Sequence, residues 1–347
     1  MSRATGEEEQ PEPPHPRETG VLFGHGEAEC ILIDAYRSGR MPHAWLIGGP
    51  SGIGKATLVY RLARFVLAHP DSSAPDVQGA ASLAIRSEHP VFRRVAAQAH
   101  PDVLVLQRTV SETGTLRSVI TVDEVRRTVS FFGSTAGEGG WRICIVDSAD
   151  ELQFPQAANA LLKVIEEPPA RSLFLLVSHA PGRLLPTIRS RCRQLLLRPL
   201  AQEEVTRAAA AATGSTESDA EVVAAAAAAE GSLGRALSLL DGSTLALRQQ
   251  ILVLLERLPA IDRSALHALG DDLAGSDQAP LATFMDVVRD WLSARLVVSP
   301  QEPSRLAHVA EVWEKVNRAA REVEVYNLER KPLVFAVFRL LSETARI

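Results

Sequence analysis

The sequence predicts an α/β fold with a parallel sheet, followed by a helical C-terminal part. Three observations indicate this fold class. Short apolar runs typical of buried strands recur through residues 44–197, helix-period patterns separate them, and a glycine-rich loop joins the first strand to the first of these helices. Strands that alternate with helices build parallel sheets, because each helical crossover brings the chain back to the same edge.

Five runs are strand candidates, and two of the segments between them have a clear helical period. The strands are predicted at 44–47, 103–106, 142–146, 173–177 and 194–197, and the helices at 56–67 and 157–165. The segment 71–99 shows no clear period, so we interpret it as an insertion. After Pro199 the apolar spacing is helical only, with alanine runs broken by glycines up to about residue 240.

The first site candidate is a phosphate loop between the first strand and the first helix. Glycines let backbone N–H groups curl around a phosphate, the helix N-terminus adds positive potential, and a lysine reaches the terminal phosphates. The expected contacts are Gly49, Gly52, Gly54 and Lys55. The flanking strand and helix supply the context that this motif requires.

The two residues after Lys55 complete the expected nucleotide-binding segment but depart from the motif. Ala56 stands where a serine or threonine hydroxyl would hold Mg²⁺. Thr57 is adjacent, but one step along a helix turns a side chain by about 100°, so it does not replace the missing ligand. ATP binding is therefore expected to be weak or absent. A loop that is only a relic strand-to-helix turn is the alternative.

A second candidate follows the strand 142–146. Asp147 comes at the position of an acid that holds the Mg²⁺ shell in nucleoside triphosphatases. The next residue is Ser148, where such ATPases place a glutamate that orients the attacking water. Asp150 and Glu151 lie nearby, but their offset makes them poor substitutes for that glutamate. A buried strand that ends in a helix-capping aspartate is the alternative.

A third candidate is the alternation of Arg189, Arg191 and Arg193 beside an apolar strand. Alternating arginines at a sheet edge can form a solvated face. At the rim of a nucleotide domain, however, an arginine can also reach the γ-phosphate bound by a neighbouring subunit and act as an arginine finger. The pattern therefore makes these arginines candidates for catalysis in trans and leaves open which of the three would act.

Bulk properties restrict the remaining function classes. The net charge of −5 argues against a uniformly basic nucleic-acid coat, and no apolar run approaches the roughly 20 residues of a membrane span. Cys30, Cys144 and Cys192 are far apart, which predicts a reducing cytoplasmic setting and neither zinc nor another metal site. Residues 1–20, rich in proline and glutamate, are predicted to be a disordered tail.

Three segments together carry a family resemblance: residues 41–46 before the phosphate loop, the stretch 159–169, and Ser190-Arg191-Cys192. They resemble bacterial DNA polymerase III clamp-loader subunits of the AAA+ superfamily, over residues 22–240. The resemblance implies an AAA+ P-loop domain at 21–199, a helical lid domain at 200–244 and an all-helical collar domain for oligomerisation at 245–347. It also implies Ser178 as sensor 1 and a sensor 2 segment at 231–237.

The departures from the motifs indicate the type of clamp-loader subunit. A gamma/tau ATPase would keep a hydroxyl after Lys55, an Asp-Glu pair at 147 and 148, and a four-cysteine zinc module. The chain has Ala56, Ser148 and dispersed cysteines, and Arg235 lies one place later than the sensor 2 arginine of active ATPases. It therefore resembles the non-hydrolysing delta-prime type best.

What this resemblance implies is a role within a complex. The expected partners are gamma/tau and delta subunits in a hetero-pentamer, with the sliding clamp and primed DNA reached through that complex. In it the chain is a stator whose Arg191 acts on a neighbour's ATP. Three alternatives stay open: an independent AAA+ ATPase of replication or repair that uses Lys55 and Asp147, a gamma/tau-type ATPase, and a structural adaptor with a vestigial loop.

Overall fold

The structure is a computed structural model that describes residues 14–111, 117, 119–133, 137, 140–275, 279–298, 303–326 and 328–345. The chain divides into two compact units, Met1–Leu237 and Ser238–Ile347. This division does not test the domain limits expected at 199 and 244, which stay predictions.

The first unit is built on a five-stranded sheet. Its strands are β1 (Ala44–Gly48), β2 (Val103–Leu106), β3 (Arg142–Val146), β4 (Ser172–Ser178) and β5 (Arg193–Leu196). The strand order is β2-β3-β4-β1-β5, and every neighbouring pair is parallel. This sheet confirms the predicted α/β fold class. The last strand begins one residue earlier than predicted.

Helices cover both faces of the sheet, which is why β1, β3 and β4 are buried along their whole length. Alternate residues of these strands enter two separate cores. Trp45 and Ile145 pack on one face, whereas Leu46, Cys144 and Leu176 pack on the other. The near-continuous apolar runs of the sequence follow from this double coverage.

Ten α-helices begin within the described part of the first unit, besides two short 3-10 helices at Ala149–Glu151 and Pro181–Arg183. They are α1 (Gly26–Arg37), α2 (Lys55–Ala68), α3 (Pro75–Gln78), α4 (Pro90–Ala96), α5 (Val122–Gly133), α6 (Gln156–Glu166), α7 (Pro186–Arg191), α8 (Gln202–Thr213), α9 (Ala220–Ala228) and α10 (Leu233–Leu240). The helices predicted at 56–67 and 157–165 are confirmed as α2 and α6. The predicted insertion 71–99 contains α3 and α4, each with a proline in its first turn, where the missing N–H costs nothing.

The described residues of the second unit form helices joined by turns, with no strand among them. Its helices are α11 (Gly242–Glu256), α12 (Arg263–Asp272), α13 (Ala279–Val298), α14 (Pro303–Tyr326) and α15 (Arg330–Thr344). They enclose a separate hydrophobic core that includes Phe284 and Phe338. None of the helices in the described ranges of either unit combines the length and hydropathy that a membrane span requires.

The N-terminal segment contacts α2 where the structure describes it. The guanidinium of Arg64, which is almost fully buried, donates to the carbonyl oxygens of Arg17 at 2.9 Å and Thr19 at 2.8 Å. Arg61 donates to the carbonyl oxygen of Gly20. Of the predicted disordered tail, residues 1–20, only 14–20 belong to the described residues. Disorder of residues 1–13 stays a prediction.

Candidate functional site

The phosphate loop has the backbone conformation that its glycines permit. Gly52 and Gly54 adopt φ values of +74° and +97°, in the region that side chains with a Cβ rarely enter. Gly54 directly precedes α2, so the N-terminus of this helix closes the loop. The loop therefore lies between β1 and a helix N-terminus, the arrangement that binds phosphate in other proteins.

Lys55 is turned onto its own loop. Its Nζ donates to the carbonyl oxygen of Gly49 at 2.7 Å and to that of Pro50, and the residue is buried. Burial lowers the pKa of Lys55 to about 8, while the carboxylates of Asp150 and Asp147 oppose this shift. A phosphate entering the loop has to compete with two backbone carbonyls for this ammonium group.

A cavity of about 900 Å³ lies beside the loop. Six of the seven predicted nucleotide-binding residues line it: Gly52, Gly54, Lys55, Ala56, Thr57 and Asp147. The seventh, Gly49, accepts the hydrogen bond from Lys55 described above. The N-terminal segment, alanines of α8 and the start of α10 also line the cavity. The volume is in the range of small-molecule sites, so a nucleotide fits the cavity by size.

The side chains that would hold Mg²⁺ in a nucleotide site are incomplete here. Asp147 follows β3 and lines the cavity, and burial raises the pKa of its carboxyl while Lys55 opposes the shift. Ala56 has no oxygen to offer Mg²⁺, which prefers oxygen ligands. Within the described residues, no group of three or more His, Cys, Asp or Glu side chains could hold a metal ion. The residues present fit a phosphate better than they fit its Mg²⁺ ion.

Asp150 joins the ends of β3 and β4. Its carboxylate accepts hydrogen bonds from the Ser178 hydroxyl at 2.8 Å, from the Ala180 N–H at 3.2 Å, and from the N–H of His179. The expected sensor 1 residue, Ser178, is therefore fully buried and bound to a carboxylate. Sequence reasoning set Asp150 aside because it is offset from position 148, where ATPases place the water-orienting glutamate. Its position just beyond a strand end is the signal that could have identified it.

The start of α10 contacts the phosphate loop directly. The Ser232 hydroxyl donates to the carbonyl oxygen of Ser51 at 3.0 Å, and the Gly234 N–H donates to that of Gly52 at 3.1 Å. Arg235, in the expected sensor 2 segment, pairs with Glu230 at 3.2 Å and is not among the residues that line the cavity. The structure thus brings the glycine, not the arginine, of this segment to the loop.

The three alternating arginines have different surroundings. Arg193 lies over the Trp45 ring, 5.1 Å from its centroid, and Arg189 is half-buried. Arg191 ends α7, and its side chain is 37% exposed. Its Nη2 lies 2.7 Å from a carboxylate oxygen of Glu166, and its Nη1 donates to the carbonyl oxygen of Thr187 at 3.1 Å. Arg191 does not line the chain's own cavity.

Comparison with known proteins identifies the family. A family model described as DNA polymerase III, delta subunit, matches residues 24–201. The DNA polymerase III subunit delta' of Escherichia coli strain K12 is 32% identical over 283 residues, which are 80% of this chain and 79% of that protein. The chain belongs to the family of DNA polymerase III delta-prime subunits.

The chain is also similar to one further delta-prime relative and to one solved structure. The relative aligns over a shorter stretch of this chain. The subunit delta' of Pseudomonas aeruginosa is 40% identical over 152 residues, which span 44% of this chain and 42% of that protein. Among solved structures, a gamma subunit-related protein from Thermotoga maritima has 17% identity and a TM-score of 0.40, with 91% of this chain and 99% of that one covered.

Delta-prime membership confirms the resemblance predicted from the sequence. The three segments that carry it, 41–46, 159–169 and 190–192, all lie inside the stretch that the family model matches. The delta-prime prediction itself rested on Ala56, Ser148 and the dispersed cysteines. Ala56 lines the cavity beside the phosphate loop, and Ser148 lies just beyond the end of β3. Sequence reasoning missed the contacts of two residues in this region: Asp150, which it considered only as a substitute for a glutamate, and Glu166, which lies inside the stretch 159–169.

Proposed function

We propose that this chain is a non-hydrolysing delta-prime subunit of the DNA polymerase III clamp loader, which supplies Arg191 in trans to ATP on a neighbouring gamma/tau subunit. The observation that carries this proposal is the exposed guanidinium of Arg191, which lies outside the chain's own cavity. An arginine so placed can serve only a nucleotide bound elsewhere.

The chemistry of phosphoryl transfer explains why an arginine is suited to this role. Negative charge spreads over the equatorial oxygens of the transferring phosphoryl group, and an arginine finger that meets this charge is worth roughly 10³- to 10⁵-fold in rate. The guanidinium has five N–H donors and stays protonated. Two of the donors of Arg191 bind Glu166 and Thr187, which leaves three for a phosphate.

The chain's own phosphate loop supports the non-hydrolysing part of the proposal. Lys55 is bound to loop carbonyls, Ala56 offers no ligand to Mg²⁺, and Ser148 cannot replace a water-orienting glutamate. ATP binding in this cavity is accordingly weak or absent, and robust turnover by the isolated chain is not expected. The chain acts on ATP through its neighbour.

The partners follow from family membership and from the separate helical unit. Relatives of this chain include gamma/tau as well as delta-prime subunits. We place the chain in a hetero-pentamer with gamma/tau and delta, in which the helices of Ser238–Ile347 form the collar that joins subunits. Hydrolysis stimulated by Arg191 is then coupled to loading of the sliding clamp onto primed DNA in the cytoplasm.

The test is a reconstituted loader with the clamp and primed DNA present. Arg191→Ala should lower the rate of ATP-dependent clamp loading by about tenfold or more, because the phosphoryl group loses a charged partner. The matched control is Arg207→Ala, which removes an exposed arginine from α8 and should leave the rate unchanged. Equal rates for the two variants would show that Arg191 is not a finger.

Turnover by the isolated chain separates the alternatives. Background turnover alone, with stimulation in the assembled loader, supports the proposal. Strong turnover by the chain alone, abolished by Lys55→Ala, would instead support an independent ATPase or one of gamma/tau type. An assembly that forms normally and is indifferent to Arg191→Ala would point to a structural adaptor.

A further inference from the structure

We propose that Glu166 is a positioning residue for Arg191: its carboxylate holds the guanidinium in the orientation in which it meets the neighbour's phosphate. This inference rests on the proposed function. It concerns a residue outside the nucleotide cavity and outside the Ser190-Arg191-Cys192 motif.

Two contacts from different elements restrain Arg191. The carboxylate of Glu166 at the end of α6 binds Nη2 at 2.7 Å, and the carbonyl oxygen of Thr187 in α7 accepts from Nη1 at 3.1 Å. A free arginine side chain samples many rotamers, and that freedom is lost when it binds a phosphate. Because both contacts act on the guanidinium itself, part of that ordering is already present in the unbound chain.

The position of Glu166 is not explained by the stability of its own helix. Glu166 is the last residue of α6, and Glu167 follows it directly. The C-terminal end of a helix carries partial negative charge, so acidic side chains are unfavourable there. The ion pair with Arg191 explains this glutamate better, because the pair orients the candidate finger.

The ion pair is also a poor source of folding stability. The side chains of Arg191 and Glu166 are 37% and 44% exposed. Pairs this exposed contribute little to the free energy of unfolding, because water screens the charges and ordering two long side chains costs entropy. Loss of Glu166 should therefore alter the orientation of Arg191 while the fold stays intact, which makes the inference testable.

The first experiment uses the reconstituted loader with three variants of this chain. Glu166→Ala should lower kcat for ATP hydrolysis about three- to tenfold and leave KM for ATP within about twofold, since misplacing a group that acts in the transition state reduces rate more than substrate binding. Glu166→Gln keeps an acceptor oxygen and should fall between. Glu167→Ala, the matched control for an exposed neighbouring glutamate, should behave as the unaltered chain does.

The second experiment reads the orientation of Arg191 directly in the full isolated chain. The Nε–H signal of Arg191 in a ¹⁵N NMR spectrum is assigned by its loss in Arg191→Lys. Glu166→Ala should shift this signal and speed its exchange with water, whereas Glu167→Ala should not. An unchanged signal in Glu166→Ala would overturn the inference.

The two experiments separate failure of this inference from failure of the proposed function. If Arg191→Ala impairs the loader but Glu166→Ala matches Glu167→Ala in kcat, the inference is wrong and the finger assignment stands. If Arg191→Ala leaves the loader unaltered, the proposed function is wrong, and positioning of a catalytic group by Glu166 is overturned with it. Unfolding midpoints equal among the variants exclude a general loss of structure.

Discussion

Gly234 at the start of α10 lies in backbone contact with Gly52 of the phosphate loop. The N–H of Gly234 donates to the carbonyl oxygen of Gly52 at 3.1 Å, and a Cβ added to Gly234 would lie 3.2 Å from the Gly52 Cα. With Ser232 bound to the neighbouring carbonyl of Ser51, two hydrogen bonds join the loop to α10. A side chain at Gly52 would clash, since its Cβ would lie 2.3 Å from the Ser232 Oγ, whereas one at Gly234 would be a tight fit.

Gly52→Ala is therefore expected to be strongly destabilising. A Cβ there would lie 2.3 Å from the Ser232 Oγ and 3.1 Å from the Gly234 nitrogen, in a backbone with a φ of +74°. The left-handed backbone costs about 1 to 2 kcal/mol, and overpacking adds about 1 to 3 kcal/mol. Hydrogen exchange of peptides from β1 and α2 in increasing urea measures the loss.

The control for Gly52→Ala is Gly214→Ala. Gly214 has nearly the same φ, +70°, but an added Cβ would meet nothing within 4 Å. This variant isolates the backbone cost and should lose only about 1 to 2 kcal/mol. Equal losses for the two variants would mean that the contact between the loop and α10 is absent in solution.

Lys55 should make the stability of the protein depend on pH between about 8 and its ordinary pKa of 10.5. Burial lowers the pKa in the folded chain to about 8, so in this window the unfolded chain binds more protons than the folded one. The free energy of unfolding contributed by Lys55 therefore rises with pH across the window and is constant below it.

Comparison with Lys55→Met isolates this contribution, because the other titrating groups are common to both proteins. The difference in free energy of unfolding, natural chain minus Lys55→Met, should be larger at pH 10 than at pH 7.5 by urea unfolding. Lys163→Met, which removes an exposed lysine of α6, should show no such change. A difference for Lys55→Met that does not vary with pH would contradict a lowered pKa.

Asp150→Ala should destabilise the first unit by about 2 to 4 kcal/mol. The substitution leaves the Ser178 hydroxyl and the N–H groups of His179 and Ala180 without their acceptor. A hydrogen bond to a charged group contributes about 1.5 to 3 kcal/mol net. Because Asp150 and His179 are exposed, water replaces part of the three lost bonds. Urea unfolding followed by hydrogen exchange of β4 peptides measures this effect.

The matched variant for Asp150→Ala is Asp150→Asn, which keeps one acceptor oxygen and should lose about half as much. Ser178→Ala removes one of the three donors together with its hydrogen bond and should cost about 1 kcal/mol. An Asp150→Ala variant as stable as the natural chain would show that Asp150 does not join the ends of β3 and β4.

The sequence predicted the sheet and two of its helices, because their signals are local, but it did not identify α1 or α5. Apolar runs fixed the five strands to within a residue, and a helical period identified α2 and α6. It did not predict α3 and α4, which span four and seven residues and are too short to show a period. It also extended the predicted tail to residue 20, because no local pattern reveals that Arg61 and Arg64 bind residues 17–20.

By itself, the sequence determined the fold class, the phosphate loop with its missing hydroxyl at Ala56, and the family, since each depends on residue types at fixed spacing along one stretch of chain. The tertiary structure decided which partner each group finds. Lys55 binds its own loop, Gly234 rather than Arg235 meets Gly52, and Glu166 holds Arg191. The last two contacts join elements that come together only when the helices pack on the sheet, so no local spacing encodes them. The Lys55 contact lies within one loop, but it depends on the backbone path that the glycines take there.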